Sequence, residues 1–161
     1  AVVADQLIGH DGTPYPIDRE WRAAVVAGLG PTTAAASATL VESPEVVADV
    51  AAKRALHAQT GADALDMESA AIARVAAEHG LPFLAVRVVL DDANTGLPAA
   101  ARVAMDEAGR LQPAALARGL IRKPLALHRQ LRGMKQLAVA YRAARITLER
   151  VALAMAARRA A

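Results

Sequence analysis

Apolar residues along this chain fall into two regimes. Over roughly the first ninety residues, short apolar runs alternate with helix-length segments bounded by turn residues. Residues 1–8, with Val2, Val3, Leu7 and Ile8, read as a strand, and Gly9-His10-Asp11-Gly12 with Pro14 and Pro16 as a turn. Asp18 is an N-cap for a helix through Trp21 to Gly28, stopped by Gly28-Leu29-Gly30-Pro31. Residues 37–41 form a short strand. Ser43-Pro44-Glu45 supplies an N-cap, a proline at the first helical position and a first-turn acid, which predicts a helix running to Thr60 and closed by Gly61. Residues 62–65 read as a short buried strand, 69–79 as a helix closed by Gly80, and 81–90 as a strand whose nearly unbroken apolar run suits burial on both faces. Strands alternating with helices predict an α/β fold with a parallel or mixed sheet.

Beyond Asp92 the spacing changes. Asn94-Thr95-Gly96-Leu97-Pro98 is a loop, and short helical pieces follow, broken near Gly109 and Pro113. Pro124 opens a long helix in which Leu127, Leu131, Met134, Ala138, Tyr141, Leu148, Ala152 and Met155 recur every three or four residues. Arg145 interrupts that seam. The expected organisation is an α/β body over 1–123 and a basic amphipathic helical extension of the same domain over 124–161.

Composition narrows the choices. The chain has 161 residues, 55% hydrophobic but only 2% aromatic, so its core is built from Ala, Val and Leu. It has no cysteine, which excludes disulfides, thiolate metal sites and a cysteine nucleophile. No apolar run approaches the ~20 residues that span a bilayer, and the N-terminus lacks the pattern of a secretory signal. A cytoplasmic location is expected. The chain begins without Met, directly in a β-like run, and is expected to be the later part of a longer protein. The formal charge of +3 conceals an asymmetry: residues 118–161 carry eleven bases against Glu149 alone, whereas residues 1–117 carry eight bases and fifteen acids. An acidic body therefore bears a basic tail, and such a split points to a charged partner surface.

Two stretches carry chemistry. Asp66-Met67-Glu68-Ser69 lies where a strand hands over to a helix, and Asp91-Asp92 closes the apolar run that contains Arg87. Glu68 and Asp91 are thus expected at the carboxyl ends of two neighbouring parallel strands, the edge at which open α/β sheets bind ligands. Glu68 reads either as a helix N-terminal acid complementing the dipole or as an acceptor for the two hydroxyls of a vicinal diol. Met67 is either a core residue or a soft apolar surface for a sugar face. Asp91 is either a cap or a general acid that keeps a proton for a leaving group at a desolvated strand end. Arg87 must satisfy its charge and is expected in an ion pair with a carboxylate. The histidines His10, His57, His79 and His128 have no metal-ligand spacing, so no metal is expected. Gly28-Leu29-Gly30 lacks the third glycine of a dinucleotide fingerprint, and Ser37 and Ser43 lack a nucleophile elbow.

Together, residues 66–71 and 82–91 resemble the two C-terminal signatures of the purine nucleoside phosphorylase / methylthioadenosine–S-adenosylhomocysteine nucleosidase superfamily. The resemblance covers roughly residues 1–94 in element order. It implies a nucleoside phosphorylase-like mixed sheet flanked by helices, with its N-terminal part missing here. It implies that Met67 and Glu68 hold the ribose, Glu68 on the hydroxyls, and that Asp91 protonates N7 of a departing purine. Water or phosphate attacks the sugar, so phosphate is a candidate co-substrate and no cofactor is implied. Leu97-Pro98 and the 124–161 helix are similar to the hopanoid-associated phosphorylase branch, which implies removal of adenine from adenosylhopane. A basic amphipathic helix either makes a peripheral contact with the inner membrane, as suits such an enzyme, or packs its apolar stripe on the sheet with its arginines facing water. The resemblance also implies a homo-oligomer. Two positions depart from the family pattern: Leu90 stands where serine precedes the aspartate, and residues 43–47 lack the aromatic that stacks on the base.

Other classes are weaker fits. A non-catalytic nucleoside-binding or membrane-associated module would keep Met67 and Glu68 but tolerate loss of Asp91. Nucleic-acid binding through the tail is not expected, since Tyr141 is its single aromatic and offers no stacking platform.

Overall fold

The computed structural model describes residues 1–29, 36–97 and 127–157. Its elements are β1 (Val2–Ile8), β2 (Pro14–Tyr15), α1 (Arg19–Leu29), β3 (Ala36–Glu42), α2 (Val50–Thr60), β4 (Ala64–Asp66), α3 (Ser69–Glu78), β5 (Val86–Arg87) and the long C-terminal α4 (Leu127–Ala157). The expected helical pieces near Gly109 and Pro113 and the start at Pro124 lie outside the described residues.

The sheet is mixed. Its order is β2-β1-β3-β4, with β5 also on β1. β1, β3 and β4 run parallel, in a register that sets Ile8 against Val41, Val41 against Leu65 and Glu42 against Asp66. Their carboxyl ends therefore share one edge. β1 carries an irregularity between Ala4 and Gln6. In a regular strand Ala4 and Leu7 would face opposite sides; here both enter one buried cluster with Leu40, Ala73 and Ala85. The irregularity is tied down from α1, where Arg22 Nε donates to the Ala4 carbonyl and Nη2 to Ser37 Oγ, which in turn donates to Asp5.

Helices cover the sheet through narrow stripes. In α1, Trp21, Val25 and Leu29 recur at four-residue steps and pack with Val3, Leu84 and Val151. In α3, Ser69, Ala70 and Ala73 are buried, and these small side chains let the helix lie close on Ala4 and Leu40. Asp18 Oδ1 accepts the Trp21 N–H at 2.6 Å, the expected cap of α1. Gly61 ends α2 with φ 68°, a left-handed backbone suited to glycine, and donates its N–H to His57 O.

Three expectations are corrected. First, β5 is antiparallel to β1 and does not neighbour β4, so Glu68 and Asp91 do not sit at the ends of adjacent parallel strands. The backbone of 81–85 bonds elsewhere: Phe83 O accepts from Asp18 N and Ala85 O from Ala4 N. Only Leu84 and Ala85 of the apolar run are fully buried, while Leu81, Val89 and Leu90 are exposed. Second, α2 starts at Val50, not after Ser43. The Ser43 hydroxyl donates to the Glu45 carbonyl, forming a local turn that competes with a helix. Asp49 caps instead, accepting from Ala52 N. Third, the buried side of α4 is Ala144 and Val151, with Gly133, Ala140 and Thr147 half-buried. Ala138, Tyr141, Leu148 and Ala152 of the expected seam are exposed; the side chains of Leu127, Leu131, Met134 and Met155 lie outside those described. This helix packs on α1, and the residues at 133, 140 and 144 on its buried side are all small.

Candidate functional site

The turn after β4 is fixed from within. Asp66 Oδ1 accepts the Ser69 N–H at 3.1 Å, and Oδ2 accepts both the Ser69 hydroxyl and Arg87 Nε. Arg87 Nη2 donates to Ser69 Oγ at 2.6 Å. Ser69 is fully buried, and the Asp66 side chain is 9% exposed. The three side chains satisfy one another, as buried polar groups must. Arg87 is thus in the ion pair its sequence context demanded, and Asp66 is not free to meet a ligand.

That closed cluster leaves Met67 and Glu68 outside it. Met67 is 42% exposed. Glu68 occupies the N-cap position of α3 with φ −133°, but its side chain makes no capping hydrogen bond. Asp66 and Glu42 satisfy the first N–H groups of α3 instead, Glu42 Oε1 accepting from Ala71 N at 3.0 Å. The dipole-complementing role expected as one reading of Glu68 is therefore shared out to other carboxylates. Glu42 Oε2 also meets His10 Nδ1 at 3.2 Å, which brings His10, Glu42, Met67 and Glu68 to the same strand-end edge.

Asp91 belongs to a second group of contacts. Its Oδ2 accepts from Lys53 Nζ. Lys53, only 9% exposed, also donates to Asp92 O at 2.9 Å and Thr95 O at 2.7 Å. Arg54 Nη2 donates to Asn94 Oδ1, and Leu97 N to Ala48 O. The whole segment 91–97 is thus stapled to the N-terminal half of α2 and to Ala48 just before it. Hydrogen bonds from the Thr95 side chain and the Asn94 backbone hold the Asp92 carboxyl below the usual aspartate range. Among the described residues no hydrogen bond or ion pair joins Asp91 to Glu68; the Arg87–Asp66 pair links their segments. A surface depression of about 440 Å³ lined by Leu7, Tyr15, Ile17 and Arg19 lies apart from all three candidate residues.

Lys53 and Glu42 were not among the candidates read from sequence. Lys53 carried no signal: the helix expected after Ser43 places it in the interior, and only the observed start at Val50 puts it in the first turn, where a lysine opposes the dipole unless a partner holds it. Glu42 carried none, since its role depends on the β3–β4 register. Among the described residues no cluster of His, Asp and Glu forms a metal site, and no helix is long and apolar enough to cross a membrane.

A parallel strand edge bearing an acidic turn, flanked by helices and an antiparallel closing strand, defines an α/β protein with a nucleoside phosphorylase-like sheet. The chain belongs to the phosphorylase superfamily, whose sequence profile matches residues 2–122. Its fold is similar to that of a Weissella paramesenteroides protein assigned as a methylthioadenosine nucleosidase, at TM-score 0.54 and 23% identity over 73% of this chain. It is also similar to a mutant futalosine hydrolase of Helicobacter pylori, at TM-score 0.54 and 17% identity over 85% of this chain. The chain spans 57% and 59% of the lengths of these two structures. No curated protein matches it significantly.

Proposed function

We propose that this chain forms the ribose and leaving-group side of a site that cleaves the N-glycosidic bond of an adenine nucleoside. Glu68 accepts the ribose hydroxyls, Met67 lies against the sugar face, and Asp91 gives a proton to N7 of the base. The carrying observation is the Asp66–Ser69–Arg87 cluster. It satisfies Asp66 internally and leaves Glu68 exposed and without a capping bond on the adjoining turn.

The chemistry fits those roles. As the bond to N9 breaks, its electron pair moves to the purine and positive charge grows on the ribose. A proton on N7 neutralises the departing base, and a held diol fixes the sugar for attack. Asp91 uses Oδ2 for Lys53, which leaves Oδ1 for the base. The attacking group is water or phosphate.

The substrate class proposed within this reading is a lipid-borne adenosine, adenosylhopane. The outer side of α4 supports it. Val139, Ile146 and Leu153 are exposed at seven-residue intervals, among exposed Arg132, Lys135, Arg142 and Arg150. A helix side that mixes aliphatic and basic residues complements an anionic bilayer surface. The two related structures are described as acting on methylthioadenosine and futalosine, which keeps soluble nucleosides as the second reading.

The test is adenine release by chromatography from adenosine and methylthioadenosine, with and without phosphate, beside Asp91→Asn in the intact protein. Release abolished by the substitution supports the reading, and its phosphate dependence names the nucleophile. Release that Asp91→Asn leaves unchanged refutes the role of Asp91.

A further inference from the structure

Lys53 is nearly buried on α2, and its ammonium has three N–H bonds to donate. All three have partners: Asp91 Oδ2, Asp92 O and Thr95 O. No donor is left for a substrate, so any part Lys53 plays in the reaction passes through the segment it holds. That segment contains the proposed acid, and the residue before it, Leu90, has no side-chain hydroxyl with which to orient a carboxylate.

We infer that Lys53 is the positioning residue of the leaving-group acid, fixing the Asp91 carboxyl so that Oδ1 faces the purine. This rests on the reading of Asp91 as the acid. With the acid protonated on Oδ1, Oδ2 accepts from Lys53. The Oδ1 proton passes to N7 as the C–N electron pair moves to the base, leaving a carboxylate. That new negative charge lies against the Lys53 ammonium, whose side chain is only 9% exposed, so that the attraction between them is less screened than in water. The two backbone acceptors keep the ammonium from turning away with the side chain. The Asp92 carboxyl is held first by the Thr95 side chain and the Asn94 backbone, and the charge of Lys53 is the least of its contacts. Arg54, the next cation on α2, is engaged with Asn94 instead.

The inference separates substrates by their leaving groups. An adenine nucleoside needs the proton; 4-nitrophenyl β-riboside carries a leaving group that departs without one. In the intact protein, Lys53→Met is expected to lower kcat for adenosine or methylthioadenosine by on the order of 100-fold, with KM within about twofold. Its rate on the nitrophenyl riboside stays within about threefold of the parent's, which also reports that the variant folds. Lys53→Arg recovers at least about tenfold of the lost rate, because it restores a cation able to donate to Oδ2. Equal losses on both substrates, or an unchanged kcat on adenosine, overturn the inference. If Asp91→Asn abolishes adenine release while Lys53→Met does not reduce it, the inference on Lys53 fails alone. If Asp91→Asn releases adenine at the parent rate, or the parent releases none, the underlying reading fails and Lys53 falls with it.

Discussion

Arg87 and Asp66 form an ion pair that fastens the segment leading to Asp91 onto the turn that presents Glu68. Asp66 is largely buried and Arg87 about one-third exposed. Removing the cation leaves a carboxylate with Ser69 as its remaining side-chain partner. Arg87→Met is expected to destabilise the protein by about 2–3 kcal/mol, below the ~3–5 kcal/mol of a fully buried pair because Arg87 reaches solvent. Urea denaturation measures it. A loss below about 0.5 kcal/mol would show that the pair contributes no more than an ordinary surface contact.

Glu68 is expected to matter only where there is a diol to hold. Glu68→Gln should lower kcat/KM for adenosine on the order of 10–100-fold, the worth of a hydrogen bond to a charged group. On 2′-deoxyadenosine, which lacks one partner hydroxyl, the loss should be under about tenfold. The ratio of the two effects is the measurement, and equal losses on both substrates would place Glu68 away from the ribose.

The corrected face of α4 gives a stability contrast between residues three apart. Val151 is 4% exposed and sits with Val25 and Leu29, whereas Leu148 is 46% exposed. Val151→Ala removes two buried methyl groups and leaves a void, for an expected loss of about 1.5–3 kcal/mol. Leu148→Ala should fall within about 0.5 kcal/mol of the parent. Thermal melts of both variants decide it; the opposite ranking would restore the seam read from the three-four spacing.

That seam shows where sequence reading stopped. The α4 helix itself was legible, because its residues repeat at helical spacing and no glycine or proline breaks it between 134 and 157. Which side it buries was not, because large apolar residues lie around most of the helix, and the buried side includes the small residues Gly133, Ala140 and Ala144, which an apolar-spacing pattern does not mark. Likewise β1, β3, β4 and the glycine stop at Gly61 followed from local pattern. The direction of β5 did not, since an apolar run says that a segment is covered, not which strand covers it. At the candidate site, Met67, Glu68 and Asp91 stood out as parts of a linear signature, and Arg87 as a charge needing a partner. Lys53 and Glu42 act across 38 and 29 residues of chain, and pairing at that distance has no local mark.

Asp92 makes the segment 91–97 sensitive to acid. Its folded-state pKa is depressed, chiefly by the Thr95 side chain and then by the Asn94 backbone N–H. A depressed carboxyl contributes stability above its unfolded pKa, and that contribution is lost as pH falls through the folded value. The Asn94 amide is therefore expected to be protected from hydrogen exchange at neutral pH and to lose protection below about pH 4. Asp92→Ala should lack protection throughout, so the two proteins converge in acid. Convergence at high pH instead would reverse the sign and refute the assignment.

The outer side of α4 yields the last prediction. A helix that only covers α1 has no use for Val139, Ile146 and Leu153 on its exposed surface, where each costs contact with water. Beside Arg132, Lys135, Arg142 and Arg150 they form a surface with both apolar reach and positive charge, and an anionic bilayer offers the complement of each. The protein is expected to float with vesicles containing phosphatidylglycerol and not with phosphatidylcholine alone. Each basic residue near such a surface is worth about 1 kcal/mol, so removing two charges with Arg142→Gln and Arg150→Gln should weaken partitioning about thirtyfold. Salt should weaken it too, because screening shortens the reach of exposed charges to about 8 Å near physiological strength. Ile146→Asp should act in the same direction at any salt, since it removes apolar contact and adds a repelling charge. None of these positions touches Asp91 or Glu68, so turnover of a soluble adenine nucleoside should remain at the parent rate. Failure of the parent protein to float with either vesicle would remove the lipid-borne substrate and leave the soluble nucleoside as the reading.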